Sequence, residues 1–118
     1  LKALLKDHRE HQTLATLLSV DSAQPAGYGR VKRDPSGHVR KIVEELDATE
    51  EEKAIREINV GCTVFDMEKL FKALKRVPRN PVKHEYYLTD VIELLAQEGR
   101  VEAVKTRDQD EVLGVIEG

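Results

Sequence analysis

The apolar residues at the start of the chain repeat at the spacing of one face of a helix. The positions i, i+3 and i+4 are Leu1, Leu4 and Leu5, and His8 follows at i+7. This pattern predicts an amphipathic helix to about Gln12. Residues 13–20 (TLATLLSV) are apolar and rich in β-formers, and a run this short is typical of a buried strand. The turn-forming residues 21–29 that follow predict a loop.

A β-hairpin is predicted by two short β-forming runs on either side of a turn. The runs cover residues 30–33 and 39–45. Between them, residues 34–37 (DPSG) place Asp, Pro and Gly at the first, second and fourth positions of a type I turn. The hairpin is therefore predicted from local sequence alone.

Capping residues mark the beginnings of two later helices. Thr49 followed by Glu52 is a capping box, which predicts a short helix over residues 50–56. Asp66 can cap another helix directly after a strand predicted over residues 58–65. The apolar face expected for that helix, which Pro78 and Pro81 end, consists of Met67, Leu70, Phe71, Leu74 and Val77.

The last third of the chain predicts one more helix and one more strand. The helix starts at Thr89 or Asp90 and is closed by Gly99 at the C′ position, and the strand covers residues 101–106. Strands and helices thus alternate, with one hairpin inserted. We expect a single α/β domain over residues 1–118, with a mixed sheet flanked by helices.

Composition limits the classes of function. The chain has 118 residues, of which 35% are charged, and a formal net charge of −3. Both signs are interspersed, so there is no general reason to bind nucleic acid or an anionic membrane. No apolar run approaches the roughly 20 residues needed to span a bilayer. The basic residues between 72 and 83 lack interleaved aromatic side chains, and we interpret them as a solvated face.

Cysteine, histidine and the chain start have ordinary interpretations. Cys62, the single cysteine, lies in an apolar run without a nearby cation, so we expect a buried, unreactive thiol. A chain without an internal disulfide fits a cytoplasmic location.

His8 and His11 lack a third ligand at metal-site spacing, so we expect solvated helix histidines. Because the chain opens at Leu1, we expect a processed, excised or truncated product.

Polar residues and glycines at the ends of predicted strands are the candidate binding chemistry. Asn59, followed closely by Gly61, can both donate to and accept from a sugar hydroxyl. Glu44 ends the hairpin, and its carboxylate can accept from two hydroxyls. Gly29 closes a Gly-Tyr-Gly turn that can offer a backbone N–H. By themselves these features favour an edge asparagine, a solvated glutamate and an ordinary turn.

Several short motifs occur in a fixed order along the chain. They are GYGR (27–30), IVEE (42–45), DATEE (47–51), EIN (57–59), Gly61 and EYYLTDV (85–91). In this order and at these spacings they resemble the bacterial N-acetylglucosamine-1-phosphate uridylyltransferase domain. In that family the domain is the N-terminal half of a bifunctional enzyme that also acetylates glucosamine-1-phosphate. The similarity covers nearly the whole chain.

The resemblance implies a fold, a reaction and a set of contacts. The fold is the nucleotidyltransferase (sugar-nucleotide pyrophosphorylase) type, and the reaction joins UTP and N-acetylglucosamine-1-phosphate, with Mg²⁺, to give UDP-N-acetylglucosamine and pyrophosphate. Gly29, Glu44 and Asn59 match positions that contact the N-acetylglucosamine part of the sugar nucleotide. Tyr87 and Thr89 match positions close to the sugar and its N-acetyl group. A thymidylyl- or guanylyltransferase stays open, because the base-reading residues of the family have no counterpart here.

The chain also departs from the family's pattern. The glycine-rich triphosphate loop and one Asp ligand of Mg²⁺ have no counterpart, and Ile116 stands where an Asn supplies the other ligand. Val60 replaces a usual Thr, and residues 80–84 differ from the family's lead into the EYY motif, so the exact sugar stays open. The hexapeptide repeats of the acetyltransferase half do not follow. We expect the C-terminal, sugar-binding half of the uridylyltransferase domain, with no catalytic residue and no metal ligand of its own.

Two functions of different classes remain open. The first is the sugar-binding part of a uridylyltransferase whose parent enzyme uses Mg²⁺. The second is a non-catalytic sugar-nucleotide-binding or assembly module that has kept the fold and lost turnover, which Ile116 favours. In both cases the strands that would neighbour this segment belong to the half that is absent. We therefore expect an exposed apolar sheet edge and self-association or a complementing chain.

Overall fold

A computed structural model describes residues 2–76 and 88–107 of the chain. Its helices are α1 (Lys2–His11), α2 (Glu50–Lys53), α3 (Met67–Leu74) and α4 (Leu88–Glu98), with a 3-10 turn at Glu45–Asp47. Its strands are β1 (Ala15–Asp21), β2 (Arg30–Arg33), β3 (Val39–Val43), β4 (Glu57–Phe65) and β5 (Val101–Thr106). None of the described helices is long and apolar enough to cross a membrane.

The described strands form one mixed sheet in the order β3-β2-β4-β1-β5. Strand β1 lies between antiparallel β4 and parallel β5. The β2–β3 hairpin joins the rest of the sheet at one residue pair, Arg30 opposite Ile58. The prediction of a mixed sheet with flanking helices is confirmed.

Helix α4 packs on one face of the sheet and covers one side of the β2–β3 hairpin. Val91 and Leu95 of α4 are fully buried against a core that includes Val31, Ile42 and Leu17. Burying an aliphatic side chain of this size contributes about 1.5–3 kcal/mol. Since these residues come from β2, β3 and β1, this packing fixes the hairpin relative to the centre of the sheet.

The two predicted helix caps are confirmed, and one predicted helix end is wrong. Thr49 Oγ accepts from the backbone N–H of Glu52 at 3.1 Å, and the Glu52 carboxylate accepts from the Thr49 N–H at 3.0 Å. The Asp66 carboxylate accepts from the Lys69 N–H at 3.1 Å and caps α3. Helix α2 ends at Lys53 rather than at residue 56, because the chain must extend to enter β4.

Two predicted strand boundaries are shifted by local hydrogen bonds. Strand β1 begins at Ala15 rather than at residue 13, because Gln12 leaves the helix with a φ of 51° and Leu14 first pairs with the Arg100 carbonyl at 2.9 Å. Strand β3 ends at Val43 because the next residues tighten into the 3-10 turn, where the Asp47 N–H donates to the Glu44 carbonyl at 3.0 Å. Strand β5 has the predicted bounds.

The apolar face predicted for α3 is not the face that this helix buries. Met67 and Phe71 are 58% and 57% exposed, and Leu74 is also exposed. The contact with the core is made instead by Ala73, which is 1% exposed, and by the half-buried Leu70. Helix α3 contacts α4, and only the edge of its apolar stripe that carries Leu70 is covered. Val77, Pro78 and Pro81 lie outside the described residues.

Gly99 ends α4 as predicted, but for a different reason. Its φ is not in the left-handed region that favours glycine. A Cβ atom at Gly99 would instead lie 2.8 Å from Cδ1 of Leu14, which is closer than packed carbon atoms approach. The helix begins at Leu88, one residue before the predicted start.

His8 and Cys62 differ from their predicted environments. His8 is half-buried rather than solvated, and its Nδ1 lies 2.9 Å from both Thr13 Oγ1 and Thr16 Oγ1. Both threonines are buried, so His8 supplies a hydrogen-bond partner for their hydroxyl groups where α1 meets β1. Cys62 is a free thiol that is half-buried rather than fully buried, because the second half of β4 is covered incompletely.

Candidate functional site

Three of the predicted site residues lie side by side at one end of the hairpin: Glu44 directly after β3, Gly29 directly before β2, and Asn59 in β4. The pairing of Arg30 with both neighbouring strands sets Gly29 between Glu44 and Asn59. The Asn59 N–H donates to the Gly29 carbonyl at 2.9 Å. Directly opposed residues of antiparallel strands project from the same face, so Glu44 and Asn59 share a face. We call Glu44, Gly29 and Asn59 the polar row.

Gly29 leaves a gap in the middle of the polar row. A Cβ atom there would lie 2.8 Å from Cγ2 of Ile42 and 3.5 and 3.6 Å from the two carboxylate oxygens of Glu44. Any larger residue would therefore clash with Ile42 and project into the space beside Glu44. The glycine lets a ligand approach the backbone between two polar side chains.

The Asn59 carboxamide is oriented by the bulge that follows it. Gly61 has a φ of 87°, which side chains rarely tolerate, and the pairing register between β1 and β4 shifts here. The Gly61 N–H donates to Oδ1 of Asn59 at 3.1 Å. Because a backbone N–H can only donate, Oδ1 must face it. The amide NH₂ group of Asn59 then points away from the bulge as a donor.

Glu44 lies on the rim of a shallow depression of about 110 Å³. Thr89, at the start of α4, lines the same depression together with Asp47, Asp90 and Glu93. Burial raises the pKa of Asp90, and the neighbouring charges of Glu93 and Asp47 raise it further. The lining also holds one cation, Lys41, which pairs with Glu93 at 3.6 Å. The remaining carboxylates are acceptors on this side of the polar row, which suits a ligand that donates hydroxyl hydrogens.

A buried ion pair lies two residues before Asn59 on strand β4. Glu57 is 6% exposed and accepts from Nε and Nη2 of Arg33 at 2.8 and 2.7 Å and from Oγ of Ser19 at 2.6 Å. Burial would raise the pKa of Glu57, but the hydrogen bonds from Arg33 and Ser19 outweigh it, and the pKa is lowered. The three residues come from β4, β2 and β1, so the pair connects the hairpin to the central strands.

Arg30 closes the GYGR motif, but the sequence assigns it no role in the site. It is 2% exposed, and its Nη1 donates to the Tyr28 carbonyl at 2.8 Å and to the Glu45 carboxylate. Its Nη2 donates to the Lys53 carbonyl at 3.2 Å. The available signal is a charged residue at the start of a strand, directly after the Gly-Tyr-Gly turn.

Two residues to which the resemblance assigns importance are not placed. Tyr87 and Ile116 lie outside the described residues. Thr89 is placed, and it shares the depression with Glu44. The polar row and Thr89 therefore form the candidate site that the structure brings together.

The described part of the chain offers no evident metal centre. Within residues 2–76 and 88–107, no group of three His, Cys, Asp or Glu side chains is arranged to hold a metal ion. Glu52, in the acidic start of α2, is instead paired with Lys32 at 2.8 Å. That hydrogen bond and the one from the Thr49 N–H lower the pKa of Glu52 to about 2. No metal ligand is assigned to these residues.

Comparison with known proteins identifies the family. A model of the family described as nucleotidyl transferase matches residues 1–110. The chain belongs to the nucleotidyl transferase family. The resemblance seen in the sequence motifs is thereby confirmed at the level of the family, and this nucleotidyl transferase chain has the fold that the resemblance implies.

Relatives of this nucleotidyl transferase chain include proteins named bifunctional protein GlmU. Those of Bacillus cereus and Bacillus anthracis are each 50% identical to it over 116 residues. The match covers 98% of this chain and 25% of each relative. The chain thus spans about a quarter of the length of these curated relatives.

Solved structures support the fold of the nucleotidyl transferase chain. The apo form of a UDP-glucose pyrophosphorylase matches with a TM-score of 0.74 at 17% identity, over 91% of this chain and 40% of that one. A UDP-glucose pyrophosphorylase in complex with UDP-glucose matches with a TM-score of 0.71 at 16% identity, over 90% and 40% of the two chains. At this identity the likeness concerns the fold alone.

Proposed function

We propose that this chain is the sugar-binding part of a sugar-1-phosphate uridylyltransferase. In the parent enzyme, UTP and N-acetylglucosamine-1-phosphate would give UDP-N-acetylglucosamine and pyrophosphate. The observation that carries the proposal is the polar row, in which one acceptor and one donor flank a glycine. Relatives named GlmU support it by their 50% identity, and the likeness to a UDP-glucose complex supports it by the shared fold.

Each member of the polar row has a distinct task in this proposal. The Glu44 carboxylate accepts hydrogen bonds from sugar hydroxyls, and charge-assisted bonds of this kind are stronger than neutral ones. The Asn59 NH₂ group donates to the sugar, since its oxygen is engaged by Gly61. Gly29 admits the sugar to the backbone between them. Thr89 extends the contact surface next to Glu44, and Tyr87 is proposed as a further contact by its motif alone.

The proposed reaction needs positioning more than a protein nucleophile. An oxygen of the sugar phosphate attacks the α-phosphorus of UTP, and the bond from that phosphorus to the pyrophosphate oxygen breaks, so that pyrophosphate leaves. Holding the reactants in line and offsetting their charge supplies most of the catalysis in such transfers. In the parent enzyme Mg²⁺ would supply charge stabilisation. The task that we propose for the residues of this chain is to hold and orient the sugar.

A cytoplasmic location and a partner strand belong to the same proposal. A single free cysteine and a nucleotide substrate suit a reducing, nucleotide-containing compartment. Within the described residues, β4 pairs with β1 along its length but meets β2 only at Ile58. Residues 60–65 therefore present a strand edge to which another chain or a second copy can add.

Substituting the polar row tests the sugar-binding proposal. We expect Glu44→Gln and Asn59→Asp each to weaken binding of UDP-N-acetylglucosamine by about tenfold, the scale of one lost hydrogen bond. Asn59→Asp is the sharper variant, because a carboxylate still accepts from Gly61 but cannot donate to the sugar. Affinity is measured by NMR titration of the whole chain.

Glu51→Gln is the matched control for these substitutions. Glu51 is an exposed glutamate of α2 that lies outside the polar row, so its loss should leave affinity unchanged. Unaltered affinity in both row variants, or equal losses in Glu51→Gln, would refute the proposal. Binding without pyrophosphate release by the parent protein would instead identify a non-catalytic module.

The β4 edge predicts self-association that an added charge suppresses. Lysine on an edge strand blocks pairing with another edge. We expect the mass of the wild-type chain to rise with concentration in sedimentation experiments, and Val60→Lys to shift it towards the monomer. Ala54→Lys, on the exposed end of α2, is the control and should not change the mass. A wild-type chain that stays monomeric at every concentration would contradict the prediction.

A further inference from the structure

Arg30 holds three segments of the chain from the face of the sheet opposite the polar row. Side chains alternate between the faces of a strand, so Arg30 projects away from the face to which Gly29 belongs. It is 2% exposed, and a ligand on the row side cannot touch it. Any effect of Arg30 on that ligand must therefore pass through the backbone.

Each group that Arg30 binds is connected to one member of the polar row. Tyr28, whose carbonyl accepts from Nη1, directly precedes Gly29. Glu45, whose carboxylate accepts from the same nitrogen, directly follows Glu44. The Lys53 carbonyl, which accepts from Nη2 at 3.2 Å, ends α2 and begins the connection to β4 and Asn59.

The backbone of Arg30 lies at the junction of the same segments. It is the residue of β2 that pairs with both β3 and β4. One residue thus joins β2, β3 and β4 through its main chain and binds three further segments of the chain through its side chain. No other described residue makes both kinds of connection in this part of the sheet.

Stability alone does not account for a guanidinium in this place. A buried charge carries a desolvation cost that its ion pair often only offsets, and well-packed apolar residues can replace such pairs without loss. The Arg30 Nε also has no hydrogen-bond partner among the described residues. What an apolar residue cannot provide is a planar fork that fixes three acceptors in one geometry.

We propose that Arg30 is a positioning residue that sets the spacing of Glu44, Gly29 and Asn59 and so sets the affinity of the row for its sugar. The proposal rests on the sugar-binding function proposed for the row. It assigns no contact between Arg30 and the sugar. Its basis is that the main chain of Arg30 pairs with both β3 and β4, while its side chain binds the segments around the row.

The test uses Arg30→Lys and Arg30→Met in the full chain, with two readouts. The first is the ¹H–¹⁵N NMR signals of Gly29, Glu44 and Asn59, including the Asn59 side-chain NH₂, without ligand. The second is the affinity for UDP-N-acetylglucosamine. We expect both variants to shift the row signals and to weaken affinity by about 10- to 100-fold, as small displacements of binding groups do.

The Arg30→Lys variant tests whether the polar row depends on the geometry of the guanidinium or only on its charge. A lysine retains the charge but offers a single ammonium group, which cannot hold three acceptors in a fixed plane. Failure of Arg30→Lys to restore the row signals and the affinity supports the proposal. Restoration of both by lysine would overturn it, because charge alone would then suffice.

Lys32→Met is the matched control. Lys32 lies two residues along β2 on the same face and pairs with the Glu52 side chain of α2 at 2.8 Å, but it binds no group next to Gly29 or Glu44. Its loss should leave the row signals and the affinity unchanged, even where it lowers stability. Equal effects of Lys32→Met and Arg30→Met would overturn the proposal.

The two readouts separate this proposal from the proposed function. If the wild-type chain does not bind the sugar nucleotide while Arg30→Lys still shifts the row signals, the positioning role stands and the sugar assignment is wrong. Should Arg30→Met fail to fold, Glu45→Gln carries the test, because Glu45 lies on a partly exposed turn. We expect Glu45→Gln to shift the same signals by less, and row signals that overlay on the wild type in both Arg30→Lys and Glu45→Gln would overturn the proposal.

Discussion

Arg33→Met is expected to lower the free energy of unfolding by about 3 kcal/mol or more, the effect of leaving a buried charge unpaired. The substitution removes two hydrogen bonds from the Glu57 carboxylate, which is 6% exposed. Only the bond from Ser19 then remains to offset its burial. Urea unfolding followed by circular dichroism measures the change.

Removing Glu57, the other member of the ion pair, should lower the free energy of unfolding less than removing Arg33. The Arg33 side chain is 27% exposed, so after Glu57→Met its guanidinium can still reach water. We expect a smaller loss of stability in that variant, and partial recovery in the double variant Arg33→Met with Glu57→Met, since apolar pairs can replace buried ion pairs. A loss below about 1 kcal/mol for Arg33→Met would show that the pair behaves like an exposed one.

The same pair makes stability depend on pH in a definite direction. The pKa of Glu57 is lower in the folded chain than its ordinary value of 4.5. Glu57 therefore stabilises the fold above that ordinary value, and the contribution is lost as pH falls through the lowered pKa. We expect Arg33→Met to reduce this acid-dependent loss. Unfolding curves recorded across the acidic range compare the two chains.

Gly29→Ala is expected to weaken binding of UDP-N-acetylglucosamine by about 100-fold, the scale at which displaced binding groups fail. The added Cβ would lie 2.8 Å from Cγ2 of Ile42 and 3.5 Å from a carboxylate oxygen of Glu44. It would both fill the gap in the polar row and push its neighbours apart. Overpacking of this kind also destabilises by about 1–3 kcal/mol. Titration and urea unfolding measure the two effects.

Gly99→Ala separates steric strain from the loss of the site. Its Cβ would meet Cδ1 of Leu14 at the same 2.8 Å, but Gly99 lies at the end of α4 and outside the polar row. We expect a similar loss of stability in both variants and a loss of affinity only in Gly29→Ala. Equal affinities in the two variants would exclude Gly29 as part of a sugar site.

Local sequence by itself determines several elements of this chain. The turn at residues 34–37 forms because Asp, Pro and Gly stand where a type I turn needs them, and the Gly37 N–H donates to the Asp34 carbonyl at 2.9 Å. The capping box at Thr49 and the cap at Asp66 form for the same reason. These interactions span three residues, so they need no tertiary partner. The order of short motifs also indicates the family, which the family model confirms.

Tertiary structure alone decides how these elements become a candidate site. The motifs single out Gly29, Glu44 and Asn59, but only the pairing of β3, β2 and β4 places them in one row. Their sugar-binding role stays a prediction. The exposure of α3 and the short α2 likewise follow from what each element packs against.

The buried charges are the features that no local pattern contains. Arg30 and Arg33 appear in the sequence as ordinary cations of a predicted hairpin, yet one is 2% exposed and the other pairs with Glu57 across 24 positions. Hydrophobic periodicity reports which face of an element is apolar, and says nothing about which charged group will meet it. Burial of a charge depends on a partner distant in sequence, and only the folded chain brings that partner within hydrogen-bond distance.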